Sequence, residues 1–463
     1  MPKPRSDASV AAFPLLLLIG WALVAFAGAY RWTTVPLCAG VALMLVTTRP
    51  SIGRGPGWLL DWSLLACLLA VACQLIPLPA ATRERLSPEA FTVERVASFA
   101  AAPAIRPARP LSVDAESTAW AFALAATYIG LFWCARAIFS RGGVRSTVRG
   151  VSWLGLALTT LVAVQRATSP KLLYWVWQPL SKGATPYGPF VNRNGLATWL
   201  AMSVPLIIGY AMARHQSQQR SDGGAIPGAS IDSTQLWLGG AAVLMTGCLL
   251  ASMSRAGILG AAIGLTALIG FSWRRISTGT VAWMIAGLIA MAVMASMYAD
   301  LGKLTARLHE TTELGTWGRP AIWRDTWRMA SDFRLTGVGA GAFERGMLVY
   351  QEGSRLFFFN HAHDEYLQIV AEGGLLVAVP AALALLAAVA LMARYLRTDR
   401  TAMFWVRAGA IAGIVAVAVQ SIWDTGLRTP ANGVLFAVIA AAALHDPHVS
   451  RSQGERSRRV SRD

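Results

Sequence analysis

The chain has 463 residues, 55% of them apolar and only 14% charged, whereas a soluble globular protein carries about 25% charged residues, so a soluble architecture is excluded. Apolar runs of roughly 17–25 residues, long enough to cross a hydrocarbon core of about 30 Å as helix, predict an all-α polytopic membrane protein. The net charge of +17, from 41 basic and 24 acidic residues, is then read as topology signal and attraction to anionic membrane lipids, with no nucleic acid partner.

Twelve runs read as transmembrane helices: 11–30, 32–48, 57–79, 117–135, 151–166, 195–213, 236–253, 256–272, 280–299, 365–392, 405–422 and 431–444. The first follows Lys3 and Arg5 but lacks a small-x-small exit, so it is read as a retained helix and not a signal peptide. Cys38, Cys67, Cys73, Cys134 and Cys248 lie inside apolar runs without CxxC or Cys/His spacing. They read as small buried hydrophobes, with neither a disulfide framework nor a zinc site expected.

An even helix number puts both termini on one side. Short connections there carry arginine clusters such as Arg136, Arg141, Arg145 and Arg149, or Arg394, Arg397 and Arg400, so that side is cytoplasmic. The longer segments 80–116, 167–194 and 300–364 face the periplasm, since long translocated loops escape the charge rule. Residues 1–445 form the membrane domain, 213–235 a flexible inner loop, and the Arg/Ser-rich tail 446–463 a disordered cytoplasmic end. The chain has no Walker, Rossmann or kinase signature, so no ATP coupling and no cofactor are expected.

Four stretches on the outer side break the apolar pattern. Before the sixth helix, Tyr187-Gly-Pro-Phe-Val-Asn-Arg-Asn-Gly195 sets Asn192, Arg193 and Asn194 at a helix N-terminus, where backbone N–H groups favour an anion. The alternative is a capped loop with Arg193 reaching lipid phosphate. Next, Ser252-Met-Ser-Arg-Ala-Gly257 is a tight turn between two apolar helices. Arg255 there is costly to place in a membrane and suited to phosphate oxygens, or else snorkels. In the third, Gly318-Arg-Pro-Ala-Ile-Trp-Arg-Asp-Thr-Trp-Arg-Met329, Pro320 opens a helix. Ile322, Met329 and Phe333 share one face, which predicts an amphipathic helix lying in the outer interface, with Trp323 and Trp327 at headgroup depth. Arg319, at its start, is the ligand-binding candidate. The fourth, Asn360-His-Ala-His-Asp-Glu-Tyr-Leu-Gln368, suits a general base or substrate-orienting histidine. Metal binding by His361 and His363 has no further clustered ligand to support it, and a capping role is the structural alternative.

Together and in this order, the stretches GPFVNRNGLA from Gly188, SRAG from Ser254, GRPAIWRDTW from Gly318 and HAHDEYLQIVAEGG from His361 resemble the O-antigen ligase and O-antigen polymerase superfamily of bacterial membrane glycosyltransferases. A weaker similarity is SIWDTGLRTPANGVLF from Ser421, so the resemblance spans roughly 187–436. It implies a twelve-helix inner-membrane protein whose large periplasmic loop, 300–364, precedes the tenth helix. The implied reaction is metal-independent and inverting, moving glycan from undecaprenyl pyrophosphate to an acceptor hydroxyl on the periplasmic face. The acceptor would be lipid A core for a ligase, or a second lipid-linked glycan for a polymerase. Arg255 matches the family's pyrophosphate arginine, His363 its essential histidine, and Arg319 the arginine opening the interfacial helix. Asp364 stands where the family commonly shows Asn. Tyr366 and His361 complete the expected substrate site with Arg193, Asn192 and Asn194. The physical reading runs parallel: pyrophosphate is a good leaving group, so charge neutralisation, positioning and proton removal remain for the protein. A flippase for lipid-linked oligosaccharide is the reading from another class, but the candidates collect at one face and mid-helix charges are scarce. A structural polymerisation partner gives no reason for the histidine stretch.

Overall fold

The computed structural model describes residues 5–97, 108–179, 184, 186–221, 233–275, 319–352 and 358–445. The predicted span 280–299, residues 300–318 of the large loop, the stretch 222–232 of the inner loop and the tail 446–463 lie outside the described residues.

The described chain is mostly α-helical. In order come α1 (Arg5–Val24), α2 (Arg31–Thr48), α3 (Trp58–Cys73), α4 (Ala80–Leu86), α5 (Ala90–Ala97), α6 (Ala115–Ser140), α7 (Val144–Thr168), α8 (Arg193–Ser221), α9 (Ser233–Ala251) and α10 (Arg255–Ser272). After the large loop follow α11 (Arg319–Asp332), α12 (Phe343–Tyr350), α13 (Glu365–Thr398), α14 (Met403–Gln420) and α15 (Pro430–Leu444). Among the described residues, nine helices are long and apolar enough to cross a membrane, and the apolar parts of α1 and α15 are shorter. Every predicted span among the described residues falls on a helix.

Boundaries differ where local chemistry overrides hydropathy. The third span was expected to run to 79, but α3 ends at Cys73. Prolines follow at 77 and 79, and the buried Gln74 spends its amide elsewhere. Its Nε2 donates to the carbonyls of Thr336 (2.6 Å) and Glu372 (3.0 Å), and its Oε1 accepts the amide of Ala340 (2.9 Å). The chain then forms β1 (Leu78–Pro79), antiparallel to β2 (Ala108–Arg109).

At the centre lies α8, apolar on all sides and buried almost throughout, as an all-round hydrophobic helix must be. Small residues let its neighbours approach to backbone contact. A Cβ on Gly409 or Gly413 of α14 would sit 2.4 Å or 2.6 Å from the carbonyl oxygens of Pro205 or Met202 in α8. On α10, Gly260 and Gly264 meet the carbonyls of Ala416 and Ala412 at 2.4 and 2.6 Å by the same measure. Both pairs are spaced by four, the small-xxx-small pattern of close membrane-helix packing. At the opposite end of α14 from the candidate site, Arg407 is fully buried, paired with Asp399 (3.3 Å) and donating to the carbonyls of Ala443 (2.5 Å) and His445 (2.9 Å).

A second core caps the bundle at the site end. It joins Val93 of α5, Ile322 and Met329 of α11, Phe333 just after that helix, Phe343 and Met347 of α12, Ala362 just before α13, and Ala371 in its first turns. Helix α11 is amphipathic as predicted, and its apolar face packs on α12 and the start of α13. Trp323 is half-buried and donates to the carbonyl of Ala362 (3.1 Å), while Trp327 is exposed. The cap is locked to α13 where that helix breaks at Gly374 (φ 55°). Val338 and Gly339 donate to the carbonyls of Ala371 and Glu372, both at 3.0 Å, and Leu375 donates to Arg334 at 2.8 Å. A side chain at position 374 would meet the backbone of Leu335 and Gly337, so glycine is required here for space as well as for conformation.

Candidate active site

Four short segments build the site from the ends of α8, α10, α13 and α14. The chain reaches α8 through a tight turn in which Gly188 (φ 60°) lets the amide of Tyr187 donate to the carbonyl of Phe190 (2.9 Å). Asn192 then accepts the amide of Asn194 on its side chain (2.9 Å), an Asx turn that starts the helix. Asn194 is in turn fixed by Ser254, whose hydroxyl donates to its Oδ1 (2.9 Å) and also caps α10 by accepting from Gly257. The first two stretches of the sequence are therefore one structure.

The segment after α14 bolts onto the same place. Gln420 Nε2 donates to Thr198 Oγ1 (2.8 Å) and to Asp424 Oδ2 (3.3 Å), and Asn432 Nδ2 donates to the carbonyls of Gly195 (3.0 Å) and Gly426 (2.8 Å). The start of α13 docks beside it, with the amide of Glu365 donating to the carbonyl of Ser421 (2.9 Å). Asp364 is the N-cap of α13 and accepts the amide of Leu367 (3.0 Å). Tyr366 is exposed and donates its hydroxyl to the carbonyl of Ala418 (2.8 Å). The third stretch joins through Trp323 and Ala362.

These contacts surround a cleft of about 480 Å³ whose polar lining includes Asn192, Asn194, His361, His363, Asp424 and Arg428. His363 sits in left-handed backbone (φ 53°), a conformation that costs a non-glycine residue on the order of 1–3 kcal/mol and gathers at functional sites. Its Nδ1 is buried with no hydrogen-bond partner among the described residues. Burial holds its pKa below the ordinary value of 6.5; Asp424 opposes that shift and Arg319 adds to it. For Asp424 burial raises the pKa, and His363 and Arg319 pull it back. His361 is pushed down to about 3, first by burial and then by Arg428 and His363. Both rings are therefore neutral near pH 7. The carboxylate that acts on His363 is Asp424, 61 residues on in sequence, and the net shift is downward because burial outweighs that charge.

Behind the histidines lies a charged cluster that the sequence reading did not name. Arg428 bridges Glu365 (Nε to Oε1, 3.0 Å) and Glu372 (Nη1 to Oε2, 3.0 Å), and Glu372 also accepts from Gln368 (2.9 Å). Gln368 further contacts His361 Nδ1 (3.3 Å) and accepts the amide of Ala362 (3.0 Å). The available signal was the seven-residue spacing of Glu365 and Glu372, which puts two carboxylates on one helix face, together with the weak SIWDTGLRTPANGVLF similarity that contains Asp424 and Arg428.

Arg193, Arg255 and Arg319 do not line the cleft. Each is the first residue of a helix at its edge, opening α8, α10 and α11 respectively. Among the described residues none of the three forms an ion pair, whereas Arg31, Arg83, Arg136, Arg407 and Arg428 do. Among the described residues no three metal-ligating side chains converge.

Helices long and apolar enough to span a membrane, with a polar cleft at one end of the bundle, define a multi-pass membrane protein built around a terminal site. Residues 240–382 match the family described as O-antigen ligase, which supports the resemblance to the O-antigen ligase and polymerase superfamily. The match is narrower than the expected 187–436: it begins in α9 and ends in α13, taking in the second, third and fourth stretches. No curated protein matches the chain.

Proposed function

We propose that the chain is a ligase-type glycosyltransferase that moves a glycan from undecaprenyl pyrophosphate to a hydroxyl of lipid A core, at the periplasmic face of the bacterial inner membrane. The observation that carries this reading is His363: neutral, strained, with a buried nitrogen that has no partner among the described residues, in a cleft at the end of the bundle. The acceptor O–H gives its proton to the His363 ring as its oxygen bonds to the anomeric carbon. The bond from that carbon to the phosphate oxygen breaks, and its electron pair leaves on the pyrophosphate. One displacement inverts the anomeric centre. Arg255 and Arg319, with Arg193, neutralise the charge that develops on the leaving group, so no metal is called for.

Asn192 and Asn194 offer amides to sugar hydroxyls, and His361 lines the acceptor path. Asp364 and Tyr366 act through the α13 start that they fasten. Asp364 in particular spends its negative charge on a helix cap, which keeps it compatible with a nearby pyrophosphate. The arginine clusters of the short loops support placing the site end in the periplasm.

Deleting the gene tests the assignment in cells. Long carrier-linked glycan unattached to lipid A is the expected outcome. Accumulation of single carrier-linked repeats would instead identify a polymerase, with a second lipid-linked glycan as acceptor.

A further inference from the structure

Beside the cleft, four aromatic rings gather around Phe26. Its ring centroid lies 5.3 Å from Tyr30, 5.4 Å from Tyr174, 5.4 Å from Trp177 and 6.3 Å from Trp32, and Tyr30 and Trp177 are 5.6 Å apart. Trp177 donates its indole N–H to the hydroxyl of Tyr30 (2.6 Å), and the Tyr174 hydroxyl donates to the carbonyl of Val24. The rings come from two segments 150 residues apart, the α1–α2 turn and the turn after α7. Trp32 and Trp177 remain 57% and 41% exposed.

Two features set this cluster apart from an ordinary aromatic belt at a membrane interface. Four non-glycine residues in the two turns are left-handed: Phe26 (φ 54°), Ala27 (53°), Tyr174 (51°) and Trp175 (65°). Such strain persists only where the surroundings over-determine it, and a belt of rings dissolved among headgroups requires none. The second turn is also pinned, by the buried Leu173 and by a pair of bonds between Leu173 and Trp177 (2.8 and 2.9 Å). The cluster is moreover continuous with the cleft, because Phe26, Ala27, Gly28, Ala29 and Arg31 line it.

We infer that these rings form a carbohydrate-binding platform, on which pyranose units of the glycan rest as its reducing end enters the cleft. The inference rests on the glycan-transfer reading above and adds a subsite to it. A pyranose has an apolar C–H face and a rim of hydroxyls, and rigid amphipathic rings match it, covering the face while Tyr and Trp polar tips are already held. A chain anchored at His363 has to run along the cleft to leave it, and Phe26 lines the same cleft.

The test is a titration of the detergent-purified full chain with lipid-free O-polysaccharide released by mild acid from the parent cells, read by saturation-transfer difference NMR. Saturation is expected on sugar ring protons with wild type and with His363→Ala. Trp177→Ala is expected to weaken binding about tenfold, the scale of one lost stacking contact, while Trp177→Phe keeps it near wild type. No transfer to sugar protons in wild type, or equal affinity in wild type and Trp177→Ala, would overturn the platform and leave the rings as an interfacial belt. Loss of binding in Trp177→Ala beside normal glycan transfer by His363→Ala would instead retain the platform and remove the transfer mechanism.

Discussion

At His363 two opposite charges act on one ring, which gives the base a signature. In the proposed mechanism neutral imidazole is the active form, so the acidic limb of the rate profile should follow its pKa, which burial holds below 6.5. Asp424 raises that pKa and Arg319 lowers it. Asp424→Asn should therefore move the acidic limb of kcat/KM to lower pH, and Arg319→Gln to higher pH. A shared direction in the two profiles would show that the limb belongs to another group. Arg255 presents a different test, because it opens α10 beside the Ser254–Asn194 bond without an ion-pair partner among the described residues. Arg255→Ala should slow transfer by roughly 30- to 1,000-fold, the scale of a lost charge-assisted contact in the transition state. Arg255→Lys keeps charge but not the planar fork and should not restore the rate. Transfer within about twofold of wild type for Arg255→Ala would make the residue a lipid anchor.

Among the helices, the glycine contacts of α14 set how closely the site-bearing ends can meet. Any side chain at Gly409 runs into the carbonyl of Pro205 in α8. Gly409→Val should destabilise the fold by about 1–3 kcal/mol, the usual cost of overpacking, seen as a lower unfolding temperature in detergent. The same change at Gly239, where nothing lies within 4 Å of the added carbon, should be nearly silent. Hydropathy made most helices legible, and polar residues beside helix ends exposed the four stretches. What it missed has physical causes. Helix α3 ends ahead of Pro77 and Pro79, and the side-chain amide of Gln74 at its end bonds to Thr336 and Glu372, partners some 260–300 residues away. The apolar face of α11 was legible from its spacing, but whether protein or lipid covers it depends on α12 and the start of α13, which that spacing does not reveal. Asp424 and Arg428 reach the histidines only through the packing of α13 on α14, and no local pattern encodes that.

For the whole molecule, stretches spread over some 240 residues converge on one end of the bundle through named hydrogen bonds: Ser254 to Asn194, Trp323 to Ala362, Glu365 to Ser421 and Asn432 to Gly195. That convergence is what a transfer site between a membrane-bound donor and an acceptor lipid requires, with both substrates reaching one cleft from the same face. In the proposed mechanism a neutral histidine in this cleft removes the acceptor proton while arginines carry the leaving charge. Its most direct test uses the purified full chain in excess EDTA with a polyprenyl-pyrophosphate glycan donor and a lipid A core acceptor, comparing wild type, His361→Ala and His363→Ala. Full wild-type activity is expected in EDTA, with a loss of about 10²- to 10⁴-fold in His363→Ala and a milder loss in His361→Ala. Activity abolished by EDTA and restored by a divalent ion, or His363→Ala as fast as wild type, would contradict it.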